Sequence, residues 1–468
     1  MEKEKTAGQK LAKEILYEAK HIWDAVPEAR QAASEFCEDY KAFLNAAKTE
    51  REAVAEVERR ALAAGYVPFE VGKVYAPGSK VYFNNREKAI ICATLGQKSV
   101  EEGTRLMIAH IDSPRLDLKP NPLYEDSELA LFKTHYYGGI RKYQWGATPL
   151  SLHGVVVKSN GEKVTVRIGE DEGDPVFCVT DLLPHLAAEQ SKRTLGEGLK
   201  GEELNILVGS LPFEDEEVKE RVKLQVMNLL YEKYGFTERD FTRAELEAVP
   251  AFKAVDVGLD RSMIGSYGHD DRVCAYTALQ AEFETKAPVY TTVCVLTDKE
   301  EVGSDGVTGL QCDYLFHFLG HLADAQKANY KVMLANSKCL SADVNAAFDP
   351  TFPDVLERRN AAYLNRGVVV TKYTGARGKS STNDAGAELM GYVTNLLDSK
   401  GVIWQTGELG KVDMGGGGTI AKYVANRNVD VVDIGVPMLS MHAPFELVAK
   451  LDVYMTYKAF AAFAESDS

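Results

Sequence analysis

The chain has 468 residues, 45% of them hydrophobic and 26% charged, and a formal net charge of −15. That length exceeds one ordinary hydrophobic core, so two domains, or one domain with a large insertion, are expected. The acidic balance argues against a general nucleic-acid or anionic-membrane binder, which would carry a basic patch.

The N-terminus, MEKEKTAGQKLAKE, is charged and lacks an apolar core segment, so it does not read as a secretory signal. No run approaches the roughly 20 apolar residues a spanning helix needs. The seven cysteines are scattered, odd in number and contain no CxxC pair. Reduced thiols in a cytoplasmic protein fit this better than a disulfide framework or a thiolate zinc site.

Residues 10–64 read as mostly helical, with no proline or glycine in EARQAASEFCEDYKAFLNAAKTEREAVAEVERRALAAG until Gly65, at a capping position. Short β-rich runs follow: KVYFNN (80–85), AIICATL (89–95) and RLMIAHID (105–112). From about 115 to 254 the character changes to short β runs such as GVVVKS (154–159) and KVTVRIG (163–169), broken by turn residues. This middle part is expected to be an inserted, mainly β domain, leaving 1–114 and 255–468 as two pieces of one α/β domain. After 254, VYTTVCVLTD (289–298), KVMLAN (331–336), GVVVTKY (367–373) and VDVVDIGV (429–436) read as buried strands. Helical stretches RVCAYTALQAEFE (272–284) and NDAGAELMGYVTNLLDSKG (383–401) lie between them. The alternation predicts a sheet covered by helices on both faces, with ligands bound beyond the strand ends.

Five places put a metal-type side chain at a strand end. AHIDSPR (109–115) holds His110 and Asp112. Residues i and i+2 of an extended segment share a face, so the carboxylate can fix the tautomer of the imidazole; a buried histidine hydrogen-bonded to an aspartate is the plain alternative. YGHDDRVCAY (267–276) sets Asp270 and Asp271 where a helix begins, a place aspartates also occupy simply as caps. VLTDKEEVGSDG (295–306) carries Glu300 and Glu301 side by side. Neighbours on a strand face opposite ways, so the two converge only if the chain turns, which Gly303 and Gly306 permit; otherwise they belong to a solvated loop. CLSADVNAAFDP (339–350) offers Asp343, and LSMHAPFE (439–446) offers His442. Two histidines with several carboxylates and no cysteine suit zinc, manganese or cobalt. A shared carboxylate could bridge two ions, and a further carboxylate could take a proton from an activated water. Spacing does not say which of Glu300 and Glu301 is the ligand and which the base.

HIDSPR, DDR before a helix, DKEEVGS, SAD and MHAPFE stand in the order found in aspartyl aminopeptidases and vacuolar aminopeptidase I, and the chain resembles this family over roughly residues 10–460. The resemblance implies a zinc-exopeptidase-type catalytic domain with a mixed sheet and helices on both faces, interrupted by a mainly β dimerisation domain. It implies two divalent ions per subunit, zinc first and cobalt or manganese as alternatives. His110, Asp270 and Asp343 would hold one ion, and Asp270, Glu301 and His442 the other. Glu300 would be the general base and Asp112 would orient His110. It further implies an aminopeptidase acting on peptides and dimers built into tetrahedral dodecamers; the cytoplasmic location and the lack of a nucleic-acid or membrane partner are expected from the charge, the thiols and the missing signal and apolar span. LLPHLA (182–187) resembles a segment whose histidine reaches a neighbouring subunit's site, making His185 a trans contact. VVVTKY (368–373) resembles the segment with a substrate-binding lysine, making Lys372 a candidate. Two features depart from the pattern. MGGGGTIAKY (414–423) stands where CGTTIGP is expected, and Asp270-Asp271-Arg272 is closer to tetrahedral glutamyl and leucyl aminopeptidases than to relatives with Asp-Asn. The alternatives are thus such a glutamyl or leucyl enzyme, or a catalytically silent assembly protein on the same scaffold.

Overall fold

A computed structural model describes residues 6–467; the first five residues of the charged N-terminal stretch lie outside it. Four short parallel strands form the middle of a nine-stranded sheet: Thr291–Thr297, Thr104–His110, Lys338–Ala342 and Asp430–Gly435, in that spatial order. Lys80–Asn85, Ala89–Thr94 and the antiparallel Val368–Thr371 flank them, so the sheet is mixed. The parallel strands read as continuous apolar runs because both of their faces are buried.

Successive side chains on a strand point to opposite faces. On Thr104–His110, Met107 and Ala109 enter one core and Leu106 and Ile108 the other. The first core is closed by helices Ala29–Ala46, Glu50–Ala63, His269–Glu284, Ala387–Ser399 and Lys450–Ala464, the second by Tyr314–Gln326, Tyr330–Asn336 and Ala421–Ala425. Five cysteines are buried and two half-buried, and all seven are free thiols. No helix among the described residues is long and apolar enough to cross a membrane.

One expected strand is a helix. KVMLAN lies within Tyr330–Asn336, where the Asn329 side chain accepts the backbone N–H groups of Lys331 and Val332. Only Met333 and Leu334 are buried there, one helical face rather than a two-faced strand. A six-residue apolar run does not separate the two by period, and the N-cap decides it. The strand of this unit starts afterwards, at Lys338.

A seven-stranded sheet is drawn from residues 115–250 and packs its own core, including Leu116, Phe132, Trp145, Leu152 and Leu246, against the Arg221–Tyr234 helix. Buried ion pairs join it to the first sheet. Glu50 meets Lys88 at 3.1 Å and Arg115 at 3.3 Å, Arg115 meets Glu247 at 3.3 Å, and Lys48 meets Glu170 at 2.7 Å. A small third sheet pairs Met263–Ser266 with Glu446–Ala449, and through it Pro437–Leu439 and Asn345–Ala346.

Glu282, at the end of the His269–Glu284 helix, is a buried acid facing Thr94 and Tyr66, whose hydroxyls donate to it at 2.7 and 3.1 Å. Burial pushes its carboxyl up to about 7, with those bonds opposing. A folded-state value above the unfolded one means that the folded chain keeps a proton the unfolded chain has lost. Its contribution is therefore full below about 4.5 and lost as pH rises through about 7. Unfolding free energy followed across that window should fall less steeply in Glu282→Gln than in the parent; identical slopes would remove Glu282 as the source.

Candidate metal centre

Parallel strands deliver their C-terminal ends to one edge of the sheet. Thr297 pairs with His110 and Ala342 with Ile434, so the residues just beyond them emerge together. His110 closes its strand, Asp343 follows Ala342, Glu300 and Glu301 follow Thr297, and His442 follows Gly435 by way of the third sheet.

Asp112 is fully buried beneath this edge and ties it together. Its Oδ1 accepts the N–H of Glu300 at 3.1 Å and its Oδ2 the N–H of Glu301 at 3.2 Å. Its Oδ1 also stands 3.3 Å from His110 Nδ1, which is 3.0 Å from the Asp112 carbonyl. With Nδ1 engaged there, His110 turns Nε2 into the site. The two glutamates project together because the chain turns: Lys299 and Gly303 both adopt left-handed φ, +68° and +93°, around a single 3-10 turn. Asp270 and Asp271 precede the regular helix, which starts at Arg272, but they do not cap it: both carboxylate oxygens of Asp271 lack a hydrogen-bond partner, and the Asp270 carboxylate faces His110 and His442.

The carboxylate of Asp270 spans the cluster, Oδ1 being 3.2 Å from His110 Nε2 and Oδ2 3.2 Å from His442 Nε2. His110 Nε2 lies 3.9 Å from Glu300 and 4.0 Å from Asp343, and His442 Nε2 lies 3.6 Å from Glu301. Three sets of donor atoms each fall within 4.8 Å of one another: His110, Asp270 and Asp343; Asp270, Glu301 and His442; and His110, Glu300 and Glu301. The structure thus gathers His110, Asp112, Asp270, Glu300, Glu301, Asp343 and His442 in one place.

Charge explains the protonation of the group. Burial opposes a charged His110, yet Asp112 and Asp270 raise it well above the ordinary histidine value. Burial likewise opposes a charged His442, but Asp270 and Glu301 lift it to about 10. Burial, then the charges of Asp112 and Asp270, push Glu300 up to about 7. Asp343 and Glu301 are raised by burial and by Asp270. Without another cation, protons must offset the carboxylates. Oε1 of Glu301 is buried without a hydrogen-bond partner, and Oδ1 of Asp270 has none beyond its ion pair with His110, so both oxygens can take a positive ligand. Nitrogen and oxygen donors of this kind fit zinc.

Three contributors escaped the sequence. Tyr137, at the end of the second sheet's Leu129–Tyr137 strand, donates its hydroxyl to Asp112 Oδ2 at 2.7 Å. The carbonyl of Gly139 accepts from His442 Nδ1 at 2.8 Å, holding Nε2 toward Asp270. Side chains fit tightly here: Gly138 has φ +74° and a Cβ on it would stand 3.2 Å from Glu301 Oε2, and one on Gly139 would stand 3.3 Å from His442 Nδ1. Glu446, within MHAPFE, accepts backbone N–H groups beside the cluster. The Gly138-Gly139 pair and a glutamate four residues past His442 were the only signals.

Two expected residues stand apart from the cluster. His185 is exposed on a turn of the 115–254 segment beside exposed Leu182, Leu183 and Leu186. Lys372 follows the antiparallel strand, and its ammonium pairs with Asp384, which Lys379 also meets at 2.9 Å. Gly415 and Gly416 pack their backbone against other segments of the same chain, a Cβ on Gly415 meeting the Leu409 carbonyl oxygen at 2.5 Å and one on Gly416 the Ala376 Cα at 2.6 Å.

The model of the family described as aminopeptidase I zinc metalloprotease (M18) matches residues 43–464. The crystal structure of an M18-family aminopeptidase from Thermotoga maritima superimposes with a TM-score of 0.92 at 45% identity, over 96% of this chain and 99% of that one. That of aminopeptidase I from Clostridium acetobutylicum gives 0.90 at 43%, over 97% and 100%. The S. cerevisiae mApe1 dodecamer gives 0.74 at 20%, over 93% and 97%, a likeness of fold.

If Tyr137 holds Asp112 in place from the second sheet, Tyr137→Phe should weaken metal affinity about tenfold with the fold intact. Equilibrium competition against a chelator checks this, and an unchanged affinity would show that Asp112 needs no such support.

Proposed function

The chain belongs to the M18 family of aminopeptidase I zinc metalloproteases and is a metallo-aminopeptidase, and from that premise we propose that it releases N-terminal residues from peptides at a site for two divalent ions. His110, Asp270 and Asp343 would hold one, and Asp270, Glu301 and His442 the other. The observation that carries this is the pair of donor triads sharing Asp270, each within 4.8 Å. Bound there, the ions would polarise the scissile carbonyl and acidify a water.

The chain's own residues do the rest. Glu300 takes the proton from the attacking water and passes it to the departing amine nitrogen as the peptide C–N bond breaks. Its environment supports this role: the Glu300 side chain is 17% exposed and that of Glu301 3%, so Glu300 faces the open side and Glu301 the interior. Asp112 orients His110 and holds the Glu300–Glu301 turn. The donor set admits zinc, cobalt or manganese, and the family points to zinc.

We also assign the 115–254 segment to dimerisation and the assembly to a dodecamer in the cytoplasm. Exposed Leu182, Leu183 and Leu186 beside His185 support an interface there, as do the yeast dodecamer's likeness of fold for the assembly and the free thiols for the compartment. His185 would then act across the subunit boundary, and Lys372 would reach substrate by leaving Asp384.

Glu300→Gln should keep both ions and lose about 10²–10⁴-fold in turnover. Metal analysis of the purified variant beside its kinetics tests this, and loss of an ion would reverse the roles of the two glutamates. His185→Ala should lower peptide turnover with metal content unchanged; parental kinetics in an assembled oligomer would remove the trans contact.

A further inference from the structure

The two triads meet at Asp270, and His442 belongs to only one of them. Their separation therefore sets the second triad, yet regular structure places neither residue. Asp270 lies in the non-helical stretch before the helix. His442 has φ +64° in a turn where Ser440 has φ +58°, both in the left-handed region that non-glycine residues avoid.

Glu446 touches both. It is buried, 2% exposed, at the start of the Glu446–Ala449 strand, where it pairs with Ser266 on the strand that leads to Asp270. Its Oε1 accepts the N–H of His442 at 2.7 Å, and its Oε2 the N–H of Asp270, 176 residues distant in sequence, at 3.2 Å. A carboxylate that merely capped the turn would need only the first bond. The second reaches an N–H that, at a helix start, has no partner within the helix. Fixing an amide fixes the N–Cα bond from which its residue's side chain departs. Glu446 belongs to none of the donor sets, so it acts through its neighbours.

We propose that Glu446 is a positioning residue: one carboxylate, bonded to the backbone of both Asp270 and His442, sets their separation and thereby the geometry of the second ion's triad. This rests on the ligand assignment given above.

The test compares the zinc-loaded full chain with Glu446→Gln, which keeps the length but replaces one acceptor by an amide donor, and Glu446→Asp, which keeps the charge but is one methylene too short to span both N–H groups. Asp270→Ala runs in parallel. Zinc affinity is measured by chelator competition, coordination by the absorption of the cobalt-substituted protein, and kcat and KM on an aminoacyl-p-nitroanilide the parent cleaves. Both Glu446 variants should remain folded, bind one of the two zinc ions about 10–100-fold more weakly and show an altered cobalt spectrum. kcat should fall by a similar factor with KM little changed, and raised zinc should restore activity. Parental affinity and kcat in both variants overturn the proposal. So does loss of folded protein in both, which would make Glu446 a stability residue. Parental zinc binding in Asp270→Ala would instead overturn the ligand assignment itself.

Discussion

Four carboxylates, Asp270, Glu300, Glu301 and Asp343, are gathered around two histidines at one buried edge, and their mutual repulsion governs the rest of the structure. Two unit charges about 5 Å apart at an effective dielectric of 20 repel by about 3 kcal/mol, so such a group is not left bare. In the protein alone, raised values at Glu300, Glu301 and Asp343 and cationic histidines answer the repulsion. Divalent ions would answer it better, because they would also satisfy Oε1 of Glu301, which is buried without a hydrogen-bond partner. The register of the parallel strands has its functional meaning here. It brings the chain ends that carry these groups to one level.

Clustering like charges requires rigid support, and part of that support comes from outside the main sheet. Asp112 anchors His110 and the glutamate turn from below. The end of the second sheet's Leu129–Tyr137 strand supplies the Tyr137 hydroxyl to Asp112, and the turn after it supplies the Gly139 carbonyl to His442. Buried ion pairs through Glu50, Lys88, Arg115 and Glu247 join the same two sheets close behind, with Asp298, just before the glutamate turn, 3.8 Å from Lys88. Buried pairs of this kind are weak evidence of stability but are costly to break singly. The site is therefore a product of both sheets, which accounts for a second sheet so closely applied to an α/β core.

Much of this was legible in the sequence, for identifiable reasons. Fully buried parallel strands leave apolar runs that stop abruptly at polar residues, and His110, Asp343 and the Glu300–Glu301 pair stood at such stops. Gly303 marked the turn that lets adjacent glutamates converge. The motif order carried the family. What stayed hidden depends on distant chain segments meeting. Nothing local indicates that Tyr137 would donate to Asp112 or that Glu446 would span Asp270 and His442. Asp270 and Asp271 resembled caps because the local pattern of a cap and of a ligand before a helix is the same; only where the carboxylates point separates them. KVMLAN was too short for its period to speak, and the deciding group, Asn329, lay just outside it.

The central claim is that the carboxylate and histidine cluster exists to hold two divalent ions that share Asp270. Calorimetric titration of the metal-stripped protein with zinc, repeated in two buffers of different ionisation enthalpy, tests it most directly. Two zinc ions should bind per subunit, with net release of protons as the histidines and raised carboxyls give them up. Fewer than two ions per subunit, or binding without proton release, would contradict it.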